Sequence, residues 1–517
     1  MSLVGALESA PVQALGSLVR LEQHPPLQHQ PDVVGARPAE LALRVLGSVS
    51  NNGAGGGRAG AGGIDDLLHR ELAERYFRGF HKWLPIISPS RFHEAAAQAQ
   101  SGGAPPADFS LLVMAMYLVS MPQGPQSGEA DQSGAPMSTY LMIKMLFAQT
   151  QAVICASTAL VQAGLMIAAY EYACQKLNPA YISIGTCVRI AHALSLDKTS
   201  SALGEDGPQL EPEQKLRMLE DWNVWWGVVV LERIIMVELA QVRSQPAAEL
   251  PAQGSILPTD LKPERDCRGI SPIDTDLLQR APEAPFEGTK VQSFGRQAQA
   301  VYLLDRVIRI SSLASGTESR QAELQQLDRD IQAFLGMVLE ECERLREFRC
   351  SVVATAVRAL FILHENALSQ EVSALGENSL SHQRLLSEAV LDTVTNIVSE
   401  SVNDHAARLA GQPQQYRNSH GHGQQHQHAE GQNGHSHGHG HGHSLAHGHD
   451  DQQHQIGQSH AHGGIDTLPL CCIYSLKCAK RHIDRRQQQG AIEPSSKDLE
   501  PILSINKALL QRWSVTY

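Results

Sequence analysis

Fourteen of the 24 histidines lie between His420 and His462, densest in the run HSHGHGHGH at His435–His443. Imidazole is a good ligand for Zn, Ni and Cu. A specific site, however, needs three or four ligands fixed in geometry and oriented by further hydrogen bonds. The Gly, Gln and Ser background of residues 419–463 supplies neither. The tract therefore reads as a solvated low-complexity insertion. The alternative is a His-rich metal-buffering or metal-responsive role. The same rings could also carry a pH response: with Glu430, Asp450 and Asp451 as the acids of the span, its charge runs from −3 with neutral rings to +11 with all 14 protonated. That swing would centre near the ordinary histidine pKa of about 6.5, spread by self-repulsion.

A second group with chemical potential is LKCAKRHIDRR, where Lys477, Lys480, Arg481, Arg485 and Arg486 cluster. Such a cluster can serve as a nuclear-import patch. It can also be the solvated face of a helix whose apolar side is Leu470, Ile473 and Leu476, and this is the reading we prefer. A third is the pair Glu232-Arg233, set between the apolar runs Val228–Leu231 and Ile234–Val237. If buried, such a pair must be partnered, and a structural use is expected. His192, beside Arg189 and Ala193, reads as packed or half-exposed. No G-x-S-x-G, H-E-x-x-H, kinase loop set, or G-x-G-x-x-G at a strand end occurs. We assign no catalytic, cofactor-binding or metal-binding residue, expect no cofactor, and do not expect an enzyme.

The nine cysteines are Cys155, Cys174, Cys187, Cys267, Cys342, Cys350, Cys471, Cys472 and Cys478. An odd number spread over 517 residues, mostly inside apolar patterns, is not a disulfide framework. No C-x2-C pair occurs. The net charge of −12 argues against the whole chain cradling nucleic acid, which needs clustered cations. The N-terminal stretch has no basic run and carries Glu8, so it is not read as a secretory signal.

The elements that would position these groups are helical. Asn51–Gly63 is too Gly-rich for regular structure, and residues 1–63 read as a disordered, Gly-rich N-terminal segment. Leu68, Leu72, Tyr76, Phe80 and Trp83 predict one face of an amphipathic helix that Pro85 ends. Helices follow at Ala107–Met121, Ser138–Ala152 and Val153–Cys174, the last two read as adjoining and open to being one helix. Asn178-Pro179 predicts a turn. Ile182–Leu196 resumes with Val188, Ala191 and Leu194 or Ser195 on one side. Pro212 opens a helix to about Val242, where Pro suits the first turn. The Pro-rich stretch 246–289 is loop, and helices return near 290–314, 318–346, 347–369 and 380–410. Leu468–Arg485 and Leu499–Trp513 are again amphipathic. The uncharged stretch Ala152–Tyr170 contains Ser157, Thr158 and Gln162, and reads as a buried core helix rather than a membrane span. Glu232, Arg233 and Glu238 argue against a span at 222–240. The fold class is all-α: a regulatory domain at 64–411, a low-complexity insertion at 412–463, and helices at 464–517 that pack back on it.

Three blocks of motifs, in this order, resemble the fungal-specific transcription factor domain, or middle homology region, of zinc binuclear cluster regulators. LAERYFRGFHKWLPIISPSRF (Leu72–Phe92) is similar to the family's opening helix and Pro-Ile turn. Ala159–Lys198 is similar to its paired helices, with Gly185, Arg189, Ala191, Leu194 and Leu196 on a Gly-x-x-x-Arg-x-Ala-x-x-Leu pattern. Glu220–Ile234 resembles its Trp-Trp helix through Trp225, Trp226, Leu231, Glu232 and Arg233, and Ile256–Leu261 resembles the loop that follows. The likeness extends to Leu510–Trp513. Trp222-Asn223 stand where the family often has an Arg pair, and residues 1–63 contain no Cys for the family's six-cysteine DNA-binding module.

The resemblance implies a nuclear, all-helical module controlling transcription, responsive to a small-molecule effector or a protein partner. It further implies a homo- or heterodimer, with extension to control of a specialised-metabolite gene cluster. Promoter DNA would be reached indirectly through a zinc-cluster partner protein. Alternatively, a cluster is encoded upstream of Met1, as an in-frame Cys-rich, Lys/Arg-rich segment there would reveal. No membrane association is expected. Titrating the chain with Zn or Ni, with and without residues 419–463, should give only weak, non-saturating binding; a saturable site lost with the tract would establish the metal role.

Overall fold

The computed structural model describes residues 61–102, 105–120, 135–203, 211–239, 245–252, 255–261, 291–312, 318–345, 350–369, 377–409 and 472–490. The chain divides into two units, Met1–Gly57 and Arg58–Tyr517. The first unit, the His tract and the segment Leu499–Trp513 lie outside the described residues.

Among the described residues the regular structure is helical. The first group comprises α1 (Ala61–Arg78), α2 (Phe80–Trp83), α3 (Pro89–Gly102), α4 (Ala107–Ser120), α5 (Ala135–Val153), α6 (Thr158–Ala173) and α7 (Leu177–Ala193). A short 3₁₀ turn (Leu196–Lys198) and α8 (Thr199–Leu203) lead to the long α9 (Pro212–Glu238). The second group is α10 (Ser293–Ser312), α11 (Glu318–Leu345), α12 (Cys350–Ser369), α13 (Glu377–Leu409) and α14 (Cys472–Gln488).

Two helices are apolar nearly all round, and such helices belong inside. In α6 every residue from Leu160 to Ala173 is buried. In α9 burial is continuous from Trp222 to Met236. Helix α6 packs between α4 and α7, and α9 lies across α6 and α7 and reaches α10. The second group is built around α12, which touches α10, α11, α13 and α14. By length and composition α12 could cross a membrane, yet 72% of its most apolar stretch is buried among these neighbours. Arg358 and His364 lie buried within it.

Local chemistry redraws several boundaries. The periodic face from Leu68 to Trp83 is two helices, because the chain breaks at Gly79, where an added Cβ would sit 3.0 Å from the Arg75 carbonyl oxygen. Helices α5 and α6 are separate. Ser157 adopts an extended backbone and its hydroxyl accepts the Leu160 N–H at 3.2 Å, a cap that starts α6 afresh. Asn178-Pro179 is the first turn of α7 rather than a break, a place where the missing proline N–H costs nothing. The break precedes it, at Gln175, whose φ is 60°. At the other end of α7, Ser195 turns the chain with φ 55°, so Leu196, not Leu194 or Ser195, joins Val188 and Ala191 in the core. Helix α9 stops at Glu238, short of Val242.

Two glycines allow close helix approach. A Cβ at Gly164 in α6 would lie 2.6 Å from Cys187 Sγ of α7, and one at Gly227 in α9 would lie 2.7 Å from Ile86 Cγ2. Ile86 is fully buried and β-branched, so it has little room to yield. Gly227→Ala should therefore destabilise the chain by roughly 1–3 kcal/mol through overpacking, read from the urea midpoint. An unchanged midpoint would show that the Ile86 turn is free to move.

Candidate functional site

The residues that carry the family resemblance converge on α9. Glu220 accepts the Ser88 backbone N–H at 2.9 Å and the Gln162 amide at 3.0 Å, and is ion-paired with Arg91. Gln162 also donates to the Ile86 carbonyl at 2.6 Å. One turn on, Asn223 donates to the Pro85 carbonyl at 2.7 Å and the Thr259 carbonyl at 2.6 Å, while its oxygen accepts the Thr259 N–H at 3.1 Å. Trp222 Nε1 donates to the Ile256 carbonyl at 2.9 Å. The Pro-Ile turn and the ILPTDL loop, far apart in sequence, are thus pinned side by side by two consecutive residues of one helix. Trp222 and Asn223, which stand where an Arg pair is usual, are the pins. His81 completes the junction with Nε2 3.3 Å from the Leu261 carbonyl. Burial pulls its pKa down from 6.5 to about 4, opposed by backbone hydrogen bonds from the same loop.

Glu232 and Arg233 are both buried and fully partnered. Arg233 reaches Asp305 at 2.8 Å, Glu232 at 2.6 Å and the Ala248 carbonyl at 2.7 Å. Glu232 accepts the N–H groups of Ala247 and Ala248 at 2.8 and 3.0 Å. Burial raises the Glu232 carboxyl pKa, with Arg233 pulling the other way. This network joins α9 to α10 and to the 245–252 segment, the structural role expected for it. At the end of α9, Glu238 is hydrogen-bonded by Tyr172, lies 3.8 Å from Arg358 and 3.4 Å from Lys477, so four helices meet on one carboxylate. His192 is partly exposed, its ring 5.1 Å from that of Trp225 and its Nδ1 3.8 Å from Asp197. It sits in no chemical cluster. Arg189 is exposed on α7, away from these networks.

The basic cluster on α14 departs from the solvated-face reading. Leu476 is buried as expected, but three of the five cations, Lys477, Arg481 and Arg486, are paired with acids of other helices. Arg481 lies 3.4 Å from Glu365, and Arg486 lies 3.2 Å from Glu388 and 3.1 Å from Asp392. Buried His482 bonds Asp392 at 2.6 Å and Arg485 stands 2.7 Å from its Nδ1. Lys480 pairs within α14, with Asp484 at 2.6 Å. The cause is the acidic face that α12 and α13 present to this helix. Residues 470 and 473, the other apolar positions named for it, carry no described side chain.

One further constellation was not legible in the sequence. Helices α11, α12 and α13 enclose a cleft of about 200 Å³ that contains Asp328, His364 and Ser387. His364 Nε2 is 3.0 Å from Asp328 Oδ1, and Nδ1 is 3.1 Å from Ser387 Oγ. A carboxylate only accepts, so Nε2 carries a proton, and a neutral ring then accepts the Ser387 hydroxyl at Nδ1. Partial burial pushes the Asp328 pKa up, but hydrogen bonds from His364 and Gln332 outweigh it and hold it low. The trio has the residue types of an acyl-transfer triad but lacks the rest of that machinery. Ser387 lies in the interior of α13, where neighbouring N–H groups are committed to the helix and none is left to stabilise an oxyanion. Its chemistry is hydrogen bonding to whatever occupies the cleft. Among the described residues, no group of three or more His, Cys, Asp or Glu is placed to hold a metal ion.

Two outcomes follow from these networks. Asp305→Ala removes one of the two carboxylates that hold buried Arg233 and should cost about 3 kcal/mol in urea unfolding, whereas Arg309→Ala, which removes a half-exposed partner of Asp305 at 2.5 Å, should cost under about 1 kcal/mol. Equal costs would show that the buried pair is not the anchor. For His81, the folded pKa is depressed, so the stability of the neutral ring is present above about pH 6.5 and lost as pH falls toward about 4. Buried Glu220 and Glu232 have raised pKa values and pull oppositely, so the comparison is with His81→Gln. The stability advantage of the native chain over that variant should shrink by about 2 kcal/mol between pH 7 and pH 5. A constant difference would mean that the ring is protonated in place.

Comparison with known proteins agrees with this geometry. A family described as "Fungal specific transcription factor domain" matches residues 73–241, from within α1 to just beyond α9. Transcription factor BOA15 of Botryotinia fuckeliana (strain B05.10) is 31% identical over 160 residues, which is 31% of this chain and 79% of that protein. No solved structure matches. The Pro-Ile turn and the Trp-Trp helix lie locked together inside the matched span, the loop that follows lies just beyond it, and with a relative covered to 79% the chain belongs to the fungal-specific transcription factor domain family.

Proposed function

We propose that the chain is the regulatory body of a nuclear transcription regulator that reaches promoter DNA through a zinc-cluster partner, as one member of a dimer. The observation that carries the reading is the junction on α9, where residues of the three family motifs, all within the family-matched span, interlock with one another and with the ILPTDL loop just beyond it. Nothing in the buried networks invites catalysis, and we read the chain as a regulator rather than an enzyme. The regulatory domain is taken as residues 64–411 with 464–517 packing back on it. The docking of α14 on α12 and α13 supports that extent. Control of a specialised-metabolite gene cluster is the finer reading, following the habit of the family.

The test is deletion of the gene followed by genome-wide expression, with a fluorescently tagged chain followed in parallel. The expected result is nuclear fluorescence and altered expression of a contiguous group of biosynthetic genes. Altered expression scattered over the genome would keep the regulator and discard the cluster. An unchanged transcriptome under every growth condition would overturn the reading. Pull-down of the tagged chain should also recover a protein bearing a six-cysteine zinc cluster.

A further inference from the structure

The cleft between α11, α12 and α13 lies outside the span that the family match covers, and no role is assigned to it. Its walls are rich in side-chain amides: Gln321 and Gln325 from α11, Asn366 from α12 and Gln383 from α13. Leu324 and Leu363 supply an apolar face. Its floor is the bonded trio of Asp328, His364 and Ser387, of which His364 and Ser387 are buried. Among the described residues, Arg320 is its one cation and Asp328 its one carboxylate. They stand eight residues apart on one helix, about 12 Å along its axis at 1.5 Å per residue.

We infer that this cleft binds a small, net-neutral molecule rich in hydroxyl groups, of about monosaccharide size. Three observations converge on that class. Among the described lining residues the charges of Arg320 and Asp328 offset each other, so a charged ligand would leave one charge without a counterpart in a partly enclosed space. Each amide side chain both donates and accepts, and so does each hydroxyl, so a wall of four amides is matched best by several hydroxyls. The volume lies below the roughly 300–1,000 Å³ of sites for larger ligands. Leu324 and Leu363 then face the C–H side of such a molecule. Asp328 supplies the anchor: its Oδ1 takes the bonds of His364 and Gln332, at 3.0 and 2.7 Å, and Oδ2 is left as an acceptor.

Occupation would tie three helices together at once. Ser387, on the floor, directly precedes Glu388, which holds Arg486 of α14. The ligand would thus stand one residue from the contact that docks the C-terminal helix. This consequence rests on the regulatory reading above, but the binding itself does not, and is tested apart from any gene.

Saturation-transfer NMR on the full chain, with D-glucose and myo-inositol as neutral probes and citrate and L-arginine as charged ones, tests it. The expected result is saturable transfer to at least one neutral probe and to neither charged one. The double variant Gln321→Ala/Gln325→Ala, confined to exposed and half-exposed positions, should weaken that binding about tenfold, each lost hydrogen bond contributing a few-fold. Asp328→Asn should weaken it further, with circular dichroism confirming that both variants remain helical. If Asp328→Asn does not fold, the amide variant decides alone. Saturable binding of citrate or arginine in preference to the polyols would overturn the ligand class. Binding unchanged in the amide variant would overturn the location, and no transfer to either polyol would overturn the proposal.

Discussion

The structure turns on the burial of charge within one helix. Helix α9 places Glu220, Glu232 and Arg233 where water is excluded, and each would be costly if left alone. Every neighbour is arranged to prevent that. Backbone N–H groups of Ser88, Ala247 and Ala248, the amide of Gln162 and the carboxylate of Asp305 are all brought to these side chains. Because several of the partners are main-chain atoms of irregular segments, the obligation to satisfy α9 fixes the course of those segments. A hydrophobic contact would tolerate a sliding turn. A buried carboxylate waiting for a particular N–H does not, which is how polar groups can specify a fold beyond their modest net contribution to its stability.

That logic explains which parts of the molecule could be read from the sequence. Helices α6 and α9 are legible because long apolar runs, Leu160–Ala169 in one and Val224–Leu231 in the other, have few other fates, and Glu232-Arg233 was legible as a partnered pair because it interrupts such a run. The identity of the partners was not: Asp305 is 72 residues away and belongs to a helix whose register no local pattern sets. Helix ends were hidden in small local choices. Gly79, the Ser157 hydroxyl and the left-handed Gln175 each stop or start a helix within an unbroken apolar rhythm. The motif likeness marked the Pro-Ile turn and the ILPTDL loop without indicating that Asn223 holds both.

The cleft was out of reach for a related reason. Asp328, His364 and Ser387 come from three helices, and each looks ordinary in its own segment: an acid in a charged amphipathic helix, a histidine in an apolar one, a serine inside a polar one. Their grouping is a product of packing around α12 alone. The basic run at 477–486 was conspicuous by contrast, yet its surroundings were misjudged, because periodicity describes a helix in isolation while Glu365, Glu388 and Asp392 lie on other elements.

The way α14 is held has a consequence for how the molecule responds to its solvent. The contacts of α6 and α9 are apolar or deeply buried and are nearly indifferent to ionic strength. Helix α14 adds to a buried apolar face of Leu476, Ala479 and Ile483 a set of ion pairs near the surface, within reach of mobile counter-ions, whose screening length falls from about 10 Å at 0.1 M salt to about 3 Å at 1 M. The centre and the margin of one continuous helical body therefore answer to different variables. Salt weakens the electrostatic share of the C-terminal helix's docking, where two faces of opposite sign neutralise each other, and leaves its apolar share in place.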